Sequence, residues 1–264
     1  MKTPITYWGG KQQLTEEILK MIPAHKQYDE PFFGGGAIFF AKYPSKVEFI
    51  NDINGEMVNF YKVLKRQFID LKDEIDITLH SEYQHQIARG IYSDPLQHSD
   101  VMRAWAVWML SKQSIYSILG NSWSVQIDKN KAEQFQRAKE AFTIAYARRL
   151  ERTSIFARDA LSVIESTDTP TTFHYIDPPY FNADMGHYGG YTEEDFKNLL
   201  TTLSKVQGKF LLSSYPSYIL QKYFAEYGWN MREIEMVRSA GGGRKTEVFT
   251  WNYDKNIPKQ AKLF

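Results

Sequence analysis

An acid, two prolines and an aromatic residue follow directly on a short apolar run in the second half of the chain, as Asp177-Pro178-Pro179-Tyr180 after "TFHYI". Proline fixes its own backbone dihedral and restricts the residue before it, so the tetrapeptide cannot be helical and Asp177 is held extended. The carboxylate of Asp177, with a nearby backbone carbonyl, can accept hydrogen bonds from a planar amino group, and Tyr180 can stack on the ring that carries this group. The motif predicts a site for an amino-substituted heterocycle, and two prolines after a buried strand argue against the alternative of a simple surface turn.

A second candidate site lies nearer the N-terminus, where a glycine turn and an acid each follow a strand-like run. Phe33, Gly34, Gly35 and Gly36 form the turn, and Asp52 lies 16 residues beyond it. In open parallel sheets such a turn lets the backbone approach a ligand, and an acid about 20 residues further on can bind ribose hydroxyls. The layout is typical of a nucleotide-like ligand, and a plain tight turn remains the alternative.

The N-terminal segment Tyr7-Trp8-Gly9-Gly10-Lys11 combines two aromatic rings with a lysine at the start of a helical pattern. A P-loop needs a longer glycine-to-lysine spacing and a Ser or Thr after the lysine, whereas Gln12 follows here, so NTP hydrolysis is disfavoured. The segment suits a ligand with a flat ring and a carboxylate. Ordinary packing of Tyr7 is the alternative.

These residues must be positioned by alternating strands and helices. Apolar spacing predicts a helix from Lys11 that ends at Pro23, and the following pattern of strand, glycine turn, helix and strand is the opening of a parallel α/β sheet. From Ile53 to about Arg152 the pattern is helical, except for a hairpin or exposed loop around Gly120 and Asn121. The sequence predicts an α/β domain in two parts, residues 1–55 and 153–264, with a helical insertion at 56–152.

Composition narrows the class of protein. There are 32 Lys and Arg against 31 Asp and Glu, so the net charge of +1 gives no bulk evidence for a polyanion partner, although it leaves room for a local basic face. The absence of Cys excludes disulfides, thiolate metal sites and cysteine nucleophiles. No apolar run is long enough for a membrane span or a signal peptide, and the six His are scattered, so we expect an intracellular protein without a metal site.

Five motifs in order make the chain similar to the Dam-type (D12 class, alpha group) DNA adenine-N6 methyltransferases over nearly its whole length. The matching segments are "YWGGKQQLTEEILKMIP", "DEPFFGGGAIFF", "INDINGEMVNFYKVL", "YIDPPY" and "VRSAGGGRKTEVFTWNY". The resemblance implies a Rossmann-like sheet that uses S-adenosylmethionine, an inserted helical target-recognition domain, and double-stranded DNA as substrate. It also implies no membrane association, no obligate protein partner, and a cytoplasmic setting in a prokaryotic cell or a phage-infected host.

The resemblance also assigns roles to single residues. Asp177 and the Pro178 carbonyl would hold the amine of a flipped adenine, on which Tyr180 stacks, while Asp52 would hold the cofactor ribose. An exocyclic amine is a poor nucleophile, and two acceptors would position it against an activated methyl group as positive charge develops on nitrogen. The cofactor would further contact Tyr7, Trp8, Gly9, Gly10, Lys11, Phe33, Gly34, Gly35, Gly36, Ile53, Phe156, Asp159 and Asp177.

The insertion departs from the family. Many relatives carry Asn-Arg followed by an aromatic residue and Asn-Gly-Leu, where this chain has "LSKQSIYSILGNSWSVQI". DNA contacts are expected from Lys112, Asn121 and Trp123 in this segment, and from Arg244 and Lys245 near the C-terminus. A solvated loop or a core aromatic is the alternative for the first three. The segment 183–191, "ADMGHYGGY", is expected to be a mobile loop that closes over the base.

Three other activities use related motifs: methylation of cytosine N4, of an RNA base, and of a protein glutamine. Those families more often have Ser or Asn in place of Asp177, and their RNA and protein members place the motif much sooner after the glycine turn than the 143 residues from Gly34 to Asp177. A non-catalytic DNA-binding relative is a further alternative. The intact motif positions argue against it.

Overall fold

The computed structural model describes residues 1–126, 128–181, 191–237 and 244–254. Within these ranges the strands are β1 (Gln27–Glu30), β2 (Val47–Asn51), β3 (Thr153–Phe156), β4 (Thr172–Ile176), β5 (Lys209–Ser214), β6 (Asn230–Val237) and β7 (Arg244–Trp251). The α-helices are α1 (Thr15–Met21), α2 (Ala37–Ala41), α3 (Gly55–Arg66), α4 (Phe68–Ile77), α5 (Glu82–Ser93), α6 (Asp100–Gln113), α7 (Lys131–Glu140), α8 (Ala145–Leu150), α9 (Ala160–Thr167), α10 (Glu193–Leu203) and α11 (Tyr218–Tyr227).

The strands form one sheet in the order β3-β2-β1-β4-β5-β7-β6. β1 is parallel to both β2 and β4, and β4 is parallel to β5, whereas β7 runs antiparallel to β5 and β6. Every residue of β4 is buried, as expected for a strand inside a parallel sheet that is covered on both faces. The expected α/β fold with a Rossmann-like sheet is confirmed.

The chain divides into two compact units. Unit 1 comprises Met1–Thr15, Gly34–Pro44 and Asp52–Ala157. Its interior contains the packed faces of α3 and α6, with Phe60 and Trp108 fully buried. Unit 2 comprises Glu16–Phe33, Ser45–Asn51 and Arg158–Phe264, and its core joins β4 and β5 to α10 and α11 through residues such as Ile176 and Leu200.

Helices α3 to α8 occupy Gly55–Leu150, the part of the chain in which the sequence predicts an insertion. Three of these helices begin at a capping side chain. Asn54, Ser81 and Ser99 accept a hydrogen bond from a backbone N–H in the first turn of α3, α5 and α6, respectively. The domain boundaries at residues 55/56 and 152/153 stay a prediction. None of the helices described has the length and apolarity needed to cross a bilayer.

Candidate functional site

The carboxyl ends of β1, β2 and β4 lie at one edge of the sheet because these strands are parallel neighbours. From these ends the chain continues into the glycine turn, into Asp52 and into Asp177, respectively. The strand order changes direction between β1 and β4, and open α/β sheets bind ligands outside the carboxyl ends at such a position. Each of these three predicted motifs therefore follows a strand that ends at this edge.

Asp52 and the glycine turn are joined in unit 1 by hydrogen bonds. The backbone N–H of Gly34 donates to Oδ2 of Asp52 at 2.9 Å, and the N–H of Asn54 donates to Oδ1 at 2.9 Å. Burial raises the pKa of the Asp52 carboxyl above its ordinary value, while the backbone hydrogen bonds from Asn54 and Gly34 act in the opposite direction. The two predicted cofactor motifs thus form one local arrangement around a carboxylate.

Tyr7 packs on the glycine turn, also within unit 1. A Cβ on Gly34 would come within 3.0 Å of Cδ1 of Tyr7, and a Cβ on Gly35 within 3.1 Å of its Cβ. Gly34 has a φ of +46°, and Gly36, with a φ of +65°, lies immediately before α2. Only glycine combines this backbone with so close an approach, which explains the turn without reference to a ligand. The predicted contact of Tyr7 with the cofactor stays a prediction.

The remaining N-terminal residues form a tight turn. Gly9 has a φ of +77°, and the N–H of Gly10 donates to the Tyr7 carbonyl at 3.1 Å. The Lys11 side chain is buried, and its ammonium donates to the Gly9 carbonyl at 3.2 Å. Trp8 is half-buried, with its ring edge-on to that of Tyr116. The segment is thus an ordered turn and not an exposed arm.

The other predicted cofactor residues differ in their surroundings. The side chain of Ile53 is 77% exposed, so it is accessible to a ligand. Phe156 ends β3 and is half-buried. Asp159 caps α9, because its carboxylate accepts a hydrogen bond from the N–H of Ser162 at 2.8 Å. The cap is a structural role that the sequence motif had not indicated.

The predicted catalytic motif, Asp177 to Tyr180, belongs to unit 2, where Tyr180 lies close to the polar side chains of Asp177, Ser213 and Glu247. Its hydroxyl donates to Oε1 of Glu247 and lies 3.2 Å from both Oδ1 of Asp177 and Oγ of Ser213. Oγ of Ser213 in turn donates to Oε1 of Glu247 at 2.6 Å. Burial, together with the nearby carboxylates of Asp177 and Glu247, raises the pKa of Tyr180 well above its ordinary value, so its hydroxyl remains a proton donor.

Aromatic rings surround the same motif. The ring of Tyr215 lies 4.3 Å from that of Tyr180 between centroids. A small depression on unit 2 is lined by Pro179, Tyr180, Phe181, Phe196, Ser214 and Tyr215. The motif therefore combines an acid with an aromatic wall, as the sequence predicts.

Asn51 is not among the residues predicted from the sequence, although it is fully buried in unit 2 and joins the loop after β1 to the loop after β3. Its amide nitrogen donates to the carbonyls of Pro31 at 2.9 Å and Arg158 at 3.0 Å, and its amide oxygen accepts from the N–H of Arg158 at 3.0 Å. Its own carbonyl accepts from the N–H of Phe33 at 2.9 Å. In the sequence, only its position directly before Asp52 indicates that Asn51 lies near the site. Asn51 fixes the chain where it leaves β1 and β2.

The predicted DNA-contacting segment of unit 1 is a loop closed by an isolated bridge between Ser114 and Trp123. The indole N–H of Trp123 donates to Oε1 of Gln113 at 3.1 Å, and the amide nitrogen of Asn121 donates to the carbonyl of Ile115 at 3.2 Å. Both predicted residues therefore have bonds within the loop. The predicted loop itself is confirmed.

Lys112 lies at the end of α6 beside this loop. Burial lowers the pKa of its ammonium to about 8, and its Nζ is 3.4 Å from Oγ1 of Thr6. The loop residue Tyr116 is more accessible, with 56% of its side chain exposed. Tyr116 and Ser117 hold φ values of 57° and 58°, in the left-handed region that is costly for residues other than glycine. Such strain is frequent at functional sites, and no residue type in this stretch indicates it.

The predicted DNA contacts near the C-terminus lie at the start of β7. Arg244 begins β7, and its side chain lies outside the described residues. The ammonium of Lys245 lies 5.9 Å from the centroid of the Tyr215 ring. Of the predicted closing loop, residues 183–190 lie outside the described residues. Among the described residues, no group of three His, Asp or Glu side chains could hold a metal ion.

Residues 7–237 match the family described as D12 class N6 adenine-specific DNA methyltransferase. The chain is 26% identical to the type II methyltransferase M1.LlaDCHI of Lactococcus lactis subsp. cremoris, over 95% of each protein. It is 25% identical to the type II methyltransferase M.MjaIII of Methanocaldococcus jannaschii, over 93% of this chain and 96% of that protein. It is also 25% identical to the DNA N-6-adenine-methyltransferase of Escherichia phage P1, over 88% of this chain and 32% of that protein.

Proposed function

Because the chain belongs to the D12 class of N6 adenine-specific DNA methyltransferases, we propose that it transfers a methyl group from S-adenosylmethionine to N6 of an adenine flipped out of duplex DNA. The class defines the methylated atom and the polymer. The choice of donor, the flipped base and the residue roles are the finer part of the proposal. The relatives named above come from prokaryotes and a phage, which supports a prokaryotic cell or a phage-infected host as the setting.

The residues around Asp52 fit a nucleoside end of the donor. A carboxylate that already accepts two backbone hydrogen bonds retains acceptor capacity for ribose hydroxyls, because its two oxygens offer about four acceptor positions. The exposed Ile53 beside it would contact the flat base. Gly34 and Gly35, on which Tyr7 packs, would line the methionine side of the donor. When bound, S-adenosylmethionine supplies an activated methyl group on a sulfonium.

Asp177 and Tyr180 supply the acceptor side of the reaction in our proposal. The Asp177 carboxylate and the Pro178 carbonyl accept hydrogen bonds from the adenine amine, which orients the nitrogen lone pair and stabilises the positive charge that develops on it. The ring of Tyr180 stacks on the extrahelical base. Transfer of the methyl group would leave the donor as a neutral thioether, and the proton displaced from N6 would pass to solvent.

The loop closed by Ser114 and Trp123 is proposed to contact DNA in unit 1. The exposed, strained Tyr116 supports this role more directly than Trp123, whose indole N–H is bonded within the loop. Lys112 has its pKa lowered to about 8, so it is still mostly charged at neutral pH, and it would contribute a cation beside the loop. Arg244 and Lys245 remain proposed phosphate contacts at the start of β7.

One observation carries the proposal for the acceptor side: Asp177 directly follows the buried β4 and lies 3.2 Å from the hydroxyl of the Tyr180 that would cover the base. The test is methyl transfer from labelled donor to duplex DNA. We expect Asp177→Ala to abolish transfer while the matched surface variant Glu194→Ala retains it, since Glu194 is exposed on α10. Persistent transfer by Asp177→Ala, or label on cytosine in the wild type, would contradict the assignment.

A further inference from the structure

Glu247 is a fully buried carboxylate on β7 whose presence the catalytic motif does not explain. Its Oε1 accepts hydrogen bonds from the hydroxyls of Tyr180 and Ser213. Burying a carboxylate is costly unless it is hydrogen-bonded, and a hydrophobic residue would fill the same space more cheaply. A retained buried acid that contacts the stacking tyrosine therefore calls for a role in the site.

We infer that Glu247 is a positioning residue for the methylation reaction: it holds the hydroxyl of Tyr180, fixes the orientation of the ring, and keeps the hydroxyl proton away from Asp177. The inference rests on the proposed function, because it assigns the acceptor role to Asp177 and the stacking role to Tyr180.

The number of protons available for hydrogen bonds around Tyr180 supports this role of Glu247. A tyrosine hydroxyl carries one proton, and among the described residues three oxygens lie around that of Tyr180: Oε1 of Glu247, Oδ1 of Asp177 and Oγ of Ser213. Ser213 donates its own proton to Glu247, so it can only accept from Tyr180. The Glu247 oxygen is the nearest of the three, and a proton donated to it is not donated to Asp177. Without Glu247 the proton would turn to Asp177, where it would compete with the substrate amine for the carboxylate.

The framework around Glu247 is rigid enough for this task. β5 and β7 are antiparallel neighbours, with Ser213 opposite Phe249, so Glu247 is the diagonal neighbour of Ser213 on the same face of the sheet. Glu247 also lies in the middle of β7, paired on its other side with Ile234 of β6. Side chains on paired strands hold a partner more accurately than side chains on loops.

A double-mutant cycle tests the inference. Glu247→Gln is compared with wild type, and Tyr180→Phe/Glu247→Gln with Tyr180→Phe, by kcat and KM for methyl transfer to duplex DNA. We expect Glu247→Gln to lower kcat about tenfold in the wild-type background, and by no more than about twofold when the tyrosine hydroxyl is absent. The affinity for S-adenosylmethionine, measured by calorimetry, should be unchanged in each variant.

Glu48→Gln is the matched control, because Glu48 is another buried glutamate of the sheet, on β2. It should leave kcat unchanged. Glu247→Asp, which keeps the carboxyl group but withdraws it from Tyr180, should lower kcat as Glu247→Gln does, and it serves as the test if the glutamine variant does not fold.

An unchanged kcat in Glu247→Gln or in Glu247→Asp, or an equal loss in both tyrosine backgrounds, would overturn the inference. If the wild type itself transferred no methyl group to adenine, the proposed function would fail instead, and the two failures are therefore distinct.

Discussion

Asp52→Asn is the sharpest perturbation of the cofactor side. Both carboxylate oxygens accept backbone hydrogen bonds, from Gly34 and from Asn54, each at 2.9 Å. Asparagine has only one amide oxygen, so its amino group would face one of these two N–H donors. The variant also removes the negative charge to which ribose hydroxyls would donate.

The magnitude follows from the bonds lost. A hydrogen bond to a charged group contributes about 1.5–3 kcal/mol, so loss of one ribose contact should weaken S-adenosylmethionine binding about 10- to 150-fold. Leaving one backbone N–H of the turn against another donor should lower the free energy of unfolding by about 1–3 kcal/mol. The first effect concerns the ligand and the second concerns the turn, so the two can be measured separately.

Isothermal titration calorimetry of the wild type and Asp52→Asn with S-adenosylmethionine measures the first effect. Asp195→Asn is the control, because Asp195 forms the capping box of α10 with Thr192, so its loss should cost stability without changing this affinity. Burial raises the pKa of Asp52, and its charged form binds, so wild-type affinity should fall as pH falls through that raised pKa, whereas Asp52→Asn should lack this dependence. An unchanged Kd in Asp52→Asn would refute the reasoning.

Two further predictions concern stability and DNA binding. Burial alone would lower the pKa of His174, but hydrogen bonds with Asp168 and Asp29 raise it above 6.5. The protonated imidazole therefore stabilises the fold fully below about pH 6.5, and this stabilisation is lost as pH rises through the raised pKa. Urea unfolding at several pH values should show this fall in the free energy of unfolding for the wild type and not for His174→Asn. The same dependence on pH in both proteins would contradict the prediction. Tyr116→Ala should weaken duplex DNA binding about tenfold by fluorescence anisotropy, with cofactor affinity unchanged, since stacking on a base contributes about 1–3 kcal/mol. Wild-type DNA affinity in that variant would exclude the contact.

The strands and the motifs that follow them could be predicted because their signals are local. Two prolines at Pro178 and Pro179 follow β4 and prevent its continuation, and Pro31 with the three glycines from Gly34 prevents that of β1. The chain therefore leaves the sheet where the sequence indicates. The hydrogen bond between Gly34 and Asp52 also follows this layout, since parallel neighbours end at the same edge.

The surroundings of Tyr180 could not be predicted in the same way. Ser213 and Glu247 lie 34 residues apart and meet only through the antiparallel pairing of β5 with β7. A sequence pattern indicates that a strand exists but does not give its neighbour or its register. Glu247 reads as one polar residue in a strand, and its complete burial appears only in the folded sheet.

The loop after α6 shows a different limit. Gly120 and Asn121 suggested a turn, yet the left-handed residues are Tyr116 and Ser117. Left-handed backbone is normally signalled by Gly or Asn, so strain at other residues is invisible to turn rules. The side chain that the loop exposes, Tyr116, was consequently not among the residues proposed from the sequence.

The most direct test of the central claim is the identity of the methylated nucleoside. Duplex DNA incubated with the protein and S-adenosylmethionine is digested to nucleosides and analysed by mass spectrometry, in parallel with the Asp177→Ala variant. We predict N6-methyldeoxyadenosine with the wild type and none with Asp177→Ala. N4-methylcytosine as the product, or N6-methyladenine formed equally by both proteins, would contradict the account.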